Sequence, residues 1–373
     1  MFFFKENVVF LSNLFIIILI IFFFNAEYKF SPDVDKNIKI ASKFISDDFN
    51  FNILFKNLIS QRSIEANVFI SIFIYSIGIL INNIPLIFFI LNFSITVFLF
   101  YLIKIDLERN KVNKFYFHLF CYLYLLNPDL RLWQSFLLLD YFFTVLIFVY
   151  FRFLIERKFI SSVIILFLLM FIRPTSIFIL PITFLFFLFN YFFKARNNIQ
   201  IYFLILSAIL AFVLFSFLFT SFDDLDFFGP KFNFYKDFNI SGIVIHDRWS
   251  VSFEINNFYN LFTLLIIKFF AFHQFLCSDF SIIHNIYNLI YYAPYLIVIF
   301  LIFKKIYVNN HLNFNKYYLL SFYFFIIYSV CHSILLIDFD WRYRMPLYIP
   351  FIISIVYFLY EFKFDIYLKK KIR

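Results

Sequence analysis

Glycine is nearly missing: Gly78, Gly229 and Gly242 are the three in a chain of 373 residues. That scarcity argues against transporters built on glycine-broken helices and against close Gly-xxx-Gly helix packing. Cysteine is as rare. Cys121, Cys277 and Cys331 are odd in number and scattered, with no Cys-x-x-Cys pair, so neither a disulfide framework nor a zinc site is suggested. The six histidines are scattered too, with no His-Glu-x-x-His.

What the chain has in abundance is apolar side chains. Hydrophobic residues make up 64% and the mean hydropathy is +0.87, against about 45–50% apolar in a soluble domain. A globular core cannot hide that excess, whereas lipid can. Length alone suggests roughly two or three soluble domains, but apolar runs longer than about 18 residues override that prior. The 69 Phe and 26 Tyr, with plentiful Ile, Asn and Lys, have the look of an AT-biased genome, so the Phe count carries no functional weight. The net charge of +9 is best read loop by loop, because Lys and Arg set orientation in a membrane.

The first apolar run, Asn7–Asn25, is long for a signal peptide, and Phe22-Phe23-Phe24-Asn25 is a poor cleavage site. It reads as a retained first span. Further apolar runs cover 66–84, 85–103, 115–127, 136–155, 159–173, 175–193, 200–221, 258–276, 286–303, 317–337 and 345–360. With the N-terminus in the cytoplasm, 66–84 is expected along the interface. Then 85–103 runs inward, and Lys104, Arg109, Lys111 and Lys114 fall inside, as do Arg152, Arg157, Lys158, Lys194 and Arg196. Asp223, Asp224 and Asp226 fall outside. Lys268 in the middle of 258–276 favours a second interfacial helix, since a mid-bilayer Lys costs about 2.5–3.5 kcal/mol on insertion scales. Lys304, Lys305, Lys316 and the tail Lys369, Lys370, Lys371 and Arg373 then lie inside. The expectation is an all-α, polytopic transmembrane protein of about ten spans, one domain over 1–373, with both termini cytoplasmic. Its two large outer loops are 27–84 and 222–285.

Four stretches at the outer ends of spans carry candidate chemistry. In the first loop, Pro32 and Asp33 suit a helix start, with Asp35 close behind. The choice there is between a solvated acidic cap and a general base at the membrane face. Asn127-Pro128-Asp129 leads toward Asp140, an acid among apolar neighbours, costly at that depth and therefore a functional candidate; it also suits an interfacial Asp reaching the headgroups. Arg173-Pro174-Thr175 places a cation on the outer side, against the usual bias. It is either a snorkelling Arg or an anion contact. Asp338-Phe339-Asp340-Trp341-Arg342-Tyr343-Arg344-Met345-Pro346 supplies two Arg whose forks match phosphate oxygens. Asp338 and Asp340 would equally neutralise them as a surface network. Arg248, in His246-Asp247-Arg248-Trp249, is a weaker candidate of the same kind.

In their order, these pieces resemble the GT-C membrane glycosyltransferases, which include protein O-mannosyltransferases and lipid A aminoarabinose transferases. The matching elements are Pro32–Ala41 after the first span, Asn127-Pro128 through Asp140, Arg173-Pro174-Thr175, and Arg342-Tyr343-Arg344-Met345-Pro346. The resemblance covers most of the chain through short motifs. It implies a GT-C-like fold and an inverting transferase of the cell envelope, with a polyprenyl-phosphate sugar as donor and a lipid, glycan or protein as acceptor. No nucleic-acid partner is implied. By motif, Asp33 would be the catalytic base with Asp35 its rival. Asp140 would shape the site, and Arg173, Arg342 and Arg344 would hold the donor phosphate. The aromatic residue usual after the catalytic Asp is missing; Asn37 and Ile38 stand near that place. The His-Lys-Glu-x-Arg-Phe element of the endoplasmic-reticulum mannosyltransferases is also missing, which favours a bacterial-type inner-membrane enzyme. The chemistry admits a divalent ion, but the sequence shows no clean ligand cluster.

The same charges suit other classes. A flippase or other transporter would line a mid-bilayer path with ionisable groups, whereas here His332 and Lys268 are the main residues at span centres. An O-antigen polymerase or ligase would carry Arg in its large outer loop, where this chain offers Arg248. A membrane scaffold leaves the outer Arg and Asp residues without a role.

Overall fold

The structure is a computed structural model that describes residues 15–16, 32–50, 69–135, 137–172, 179, 183, 263, 266, 281–308, 316–330 and 344–361. Every regular element among these residues is helical, which agrees with the all-α expectation. The chain divides into two compact units, Met1–Thr175 with Tyr360–Arg373, and Ser176–Leu359.

The first unit contains α1 (Pro32–Ser46), α2 (Phe69–Leu80), α3 (Ile84–Arg109), α4 (Lys114–Leu125), α5 (Pro128–Ser135), α6 (Asp140–Ile155) and α7 (Phe159–Ile172). Helix α1 packs on α2, α2 on α3, α3 on α6, and α6 on α7. Helix starts follow from local chemistry. The Asn83 side chain accepts from the Leu86 amide at 3.0 Å, with Pro85 in the first turn of α3. The Asn113 side chain accepts from Phe115 N at 3.2 Å before α4. Before α5, the Asn127 Oδ1 accepts from Leu130 N at 2.9 Å, and Pro128 and Asp129 fill the first turn. Each Asn satisfies an amide that the helix itself leaves unbonded.

Helix ends show how the chain manages with so little glycine. Four helices close with the same pair of bonds. Phe49 N donates to Phe44 O and Asp48 N to Ile45 O after α1; Asn83 N to Gly78 O and Asn82 N to Ile79 O after α2. Val112 N donates to Leu107 O and Lys111 N to Glu108 O after α3; Lys158 N to Phe153 O and Arg157 N to Leu154 O after α6. The residue that reverses the chain in these turns is left-handed Asp48, Asn82, Lys111 or Arg157, with φ of 52, 56, 56 and 58°, and after α1 Phe49 is left-handed too, at 59°. Glycine is the usual occupant because it has no Cβ to clash. Gly78 serves another purpose: a Cβ there would lie 2.9 Å from Ile84 Cα, so its bareness lets α2 turn tightly into α3.

The second unit contains α8 (Ile282–Val308), α9 (Lys316–Tyr323) running into a π-helical turn (Phe324–Tyr328), and most of α10 (Met345–Glu361). Buried hydroxyls join α9 to α10. Ser321 Oγ donates to Tyr317 O at 2.8 Å and lies 2.9 Å from Pro350 O. Ser354 Oγ donates to Tyr317 O at 2.8 Å and meets Ser321 Oγ. Pro350 lies inside α10, where its ring removes an amide that a continuous helix would use.

Helix α3, with 26 residues, is the described helix long and apolar enough to cross a membrane; α7 and α10 are shorter apolar helices. At 1.5 Å per residue, the 12 residues of α2 span about 18 Å, short of the roughly 30 Å of a hydrocarbon core. The expected run 136–155 is not one helix. Leu137–Leu139 form a turn and α6 begins at Asp140, since an acid favours the first turn of a helix. The runs 200–221 and 258–276 lie outside the described residues, apart from Thr263 and Ile266.

Polarity runs from inside to outside. On α7, Ile160, Ile164, Phe167 and Phe171 form an exposed stripe, while Ser162 is buried. On α8, Ile283, Ile286, Ile290 and Ile297 are exposed, while Asn288 is fully buried. On α3, Asn92, Thr96 and Asp106 are buried and Ile90 is half-exposed. A water-soluble helix shows the opposite arrangement.

Candidate functional site

Asp140 opens α6 and is only 4% exposed. The segment leading to it is clamped from two other helices. Tyr75 on α2 donates its hydroxyl to Leu137 O. Asn92 on α3 donates from Nδ2 to Gln134 O at 2.8 Å. Gln134 Nε2 donates to Thr96 Oγ1 at 3.1 Å. Thr96 Oγ1 lies 2.6 Å from Tyr141 OH, and Tyr141 OH 2.7 Å from Tyr124 OH. Helices α2, α3, α4 and α6 thus converge on the turn that presents Asp140. Buried polar groups persist when each finds a partner, and this chain of hydroxyl and amide groups lets an irregular turn exist inside an apolar unit.

Asp33 and Asp35 both lie in α1. Asp35 is exposed, while Val34, Asn37, Ala41 and Phe44 form the buried face. Because α1 packs on α2 and Tyr75 of α2 holds Leu137, the structure links the helix of these acids to the Asp140 turn within one unit. Asp129 is a further buried carboxylate, in the first turn of α5.

Arg344 stands at the start of α10 in the second unit. It is 2% exposed, and its guanidinium carbon lies 6.0 Å from the centre of the Tyr348 ring. Tyr348 in turn meets Tyr292 of α8, with ring centres 5.6 Å apart. A guanidinium over an aromatic face gains cation–π attraction. Arg173, Arg248 and Arg342 lie outside the described residues.

The strongest electrostatic feature is one that sequence reasoning missed. Arg152 of α6 donates from Nε and Nη2 to Asp106 of α3 at 2.8 and 2.7 Å, with both side chains 1–2% exposed. Arg152 also reaches Glu156 at 3.1 Å, which Lys158 approaches at 2.9 Å and Arg109 at 3.8 Å. Lys104 and Glu108 pair at 3.7 Å. This ionic knot joins the C-terminal ends of α3 and α6, and Asp140 lies at the other end of α6. The available signal was an Arg still inside the apolar run 136–155 and an Asp among basic neighbours.

Among the described residues, no three His, Cys, Asp or Glu side chains gather as a metal site. The chain matches no known family profile, no characterised protein and no solved structure.

Proposed function

We propose that this chain is a multi-pass membrane glycosyltransferase. It takes a sugar from a polyprenyl-phosphate donor and transfers it to a lipid, glycan or protein acceptor on the non-cytoplasmic side. The observation that carries the reading is the two-ended arrangement of α3 and α6. Their C-terminal ends and the turns beyond them hold Lys111, Arg152, Arg157 and Lys158, and the opposite end of α6 holds the buried, clamped Asp140. By the distribution of Lys and Arg, the basic end faces the cytoplasm. Asp140 then faces outward, in the same unit as the Asp33 helix. The exposed apolar stripes of α7 and α8 support a membrane setting, as does the length of α3.

The chemistry follows from the charges. An acceptor hydroxyl loses its proton to Asp33, with Asp35 as the alternative base. The freed oxygen bonds to the anomeric carbon of the sugar as the bond from that carbon to the phosphate oxygen breaks. Polyprenyl phosphate leaves with the electron pair; Arg173, Arg342 and Arg344, with Arg248 weaker, are the candidates that the sequence offers to stabilise the growing negative charge. Attack opposite the leaving group inverts the anomeric centre. Asp140 helps shape the site. A divalent ion would supply further stabilisation of the phosphate. About ten spans, bacterial inner-membrane residence and cytoplasmic termini belong to the same proposal.

The test is mass-spectrometric profiling of glycans and lipid-linked sugars in cells lacking the protein, complemented with wild type or Asp33→Asn. A lost sugar with accumulated polyprenyl-phosphate sugar, restored by wild type and not by the variant, is the expected result. A finished lipid-linked oligosaccharide accumulating on the cytoplasmic side would point to a flippase and overturn the transferase.

A further inference from the structure

The ionic knot leaves a surplus of positive charge at one end of the first unit. Its carboxylates are already engaged: Asp106 with Arg152, Glu108 with Lys104, and Glu156 with Arg152, Lys158 and Arg109. Beyond them, Lys111 and Arg157 are exposed, and among the described residues neither forms an ion pair. They occupy equivalent places, since each is the left-handed residue in the turn that ends α3 or α6. The Asp106–Arg152 contact ties those two helix ends together, so the two turns lie at the same end of the unit. In the first turns of the next helices apolar residues are exposed, Phe115 at 37%, Phe159 at 54% and Ile160 at 80%, with Lys114 opening α4.

We propose that this end is a binding surface for the headgroups of anionic phospholipids, with Lys111 and Arg157 as its main phosphate contacts. The inference rests on the membrane setting proposed above. Cations beside exposed Phe and Ile match a layer where charged phosphates lie directly above acyl chains. The helix C-termini strengthen the local demand for positive charge. Arg157 can bridge two phosphate oxygens, while Lys111 contributes a mobile point charge. Inward carboxylates cannot compete, because the buried Arg152 and its neighbours already neutralise them.

The experiment uses the full-length protein extracted from membranes in detergent. Native mass spectrometry counts retained lipids after titration with phosphatidylglycerol or with phosphatidylcholine. The variants are Lys111→Gln with Arg157→Gln, and Lys39→Gln on α1 as a control for general charge. Gln keeps the stem and the left-handed strain at both turns, so a change reports charge. Wild type should retain phosphatidylglycerol over phosphatidylcholine, and the double variant should bind phosphatidylglycerol about fivefold more weakly for each charge removed. Lys39→Gln should match wild type. Equal retention by wild type and the double variant, or an equal loss in Lys39→Gln, would overturn the proposal. Recovery of the protein without detergent in the soluble fraction would instead overturn the membrane setting itself.

Discussion

Asp106 and Arg152, 46 residues apart in sequence, meet through two parallel hydrogen bonds of 2.7 and 2.8 Å in the interior of the first unit. A bidentate pair of this kind fixes the rotation and register of α3 against α6. Removing one partner leaves the other charge buried and uncompensated, at a cost of about 3–5 kcal/mol. Arg152→Met is therefore expected to lower the unfolding midpoint sharply. Asp106→Leu combined with Arg152→Met should recover most of that loss. Thermal unfolding of wild type, Arg152→Met, Asp106→Leu and the double variant decides it, and independent, additive losses would contradict the pairing.

Tyr141 is the centre of the second buried network, within 2.7 Å of both Thr96 and Tyr124. Tyr141→Phe keeps the ring and strands the Tyr124 hydroxyl, while Thr96 keeps its bonds with Asn92 O and Gln134, so the expected loss is about 1–3 kcal/mol. Tyr75→Phe frees Leu137 O, a backbone acceptor at the turn, and should cost less in stability, while loosening the turn that presents Asp140. Comparing unfolding midpoints of the two variants tests the ranking.

The left-handed turns make a prediction of opposite sign. Lys111→Gly and Arg157→Gly remove a Cβ from φ near 57°, between the 56 and 58° observed. The relief is offset by the greater freedom of glycine in the unfolded chain, leaving a net gain of about 0.5–1 kcal/mol each. The two gains should add, as the residues belong to separate turns. A loss of stability would show that the side chains contribute more than the strain removes.

Sidedness can be read directly. In a background with Cys121, Cys277 and Cys331 replaced, cysteines placed by Asp35→Cys and Arg157→Cys occupy exposed positions. Under the proposed topology, a membrane-impermeant maleimide should label the first from the non-cytoplasmic side and the second only after the membrane is opened. Labelling of both from one side would reverse or break the assignment of loop 27–84 to the outside.

Hydrophobic runs made the helices legible. The stretches 115–127, 159–173 and 345–360 correspond to Lys114–Leu125, Phe159–Ile172 and Met345–Glu361. The start of α6 was less visible, because Leu137–Leu139 are apolar yet form a turn held by bonds from Tyr75 and Asn92 in other helices. Asn127-Pro128-Asp129 carried two meanings. Its Asn and Pro make an ordinary helix start, and Asp129 is buried in the same turn. By its place in the sequence Arg152 reads as one of the charges that set orientation. Its role as the partner of Asp106 depends on contact between two helices, which no local spacing encodes. Of the candidate site, Asp140 stood out in the sequence as an acid in an apolar run. Its clamp of Asn92, Thr96, Gln134 and Tyr141 did not, since each residue alone is unremarkable for a helix.

The outward stripes of α7 and α8 have an evolutionary consequence. In the proposed membrane setting, a position such as Ile164 or Ile290, exposed on an apolar face, is required only to be oily. Phe, Ile, Leu and Val serve there interchangeably, and mutational bias alone decides among them. Drift toward Phe and Ile then erases ancestry from such surfaces first. Descent would be recorded inside, where Asp106 needs Arg152 and Gln134 needs Thr96. Kinship for such a chain should be sought by matching its few interior polar residues and their order, with the apolar positions given no weight.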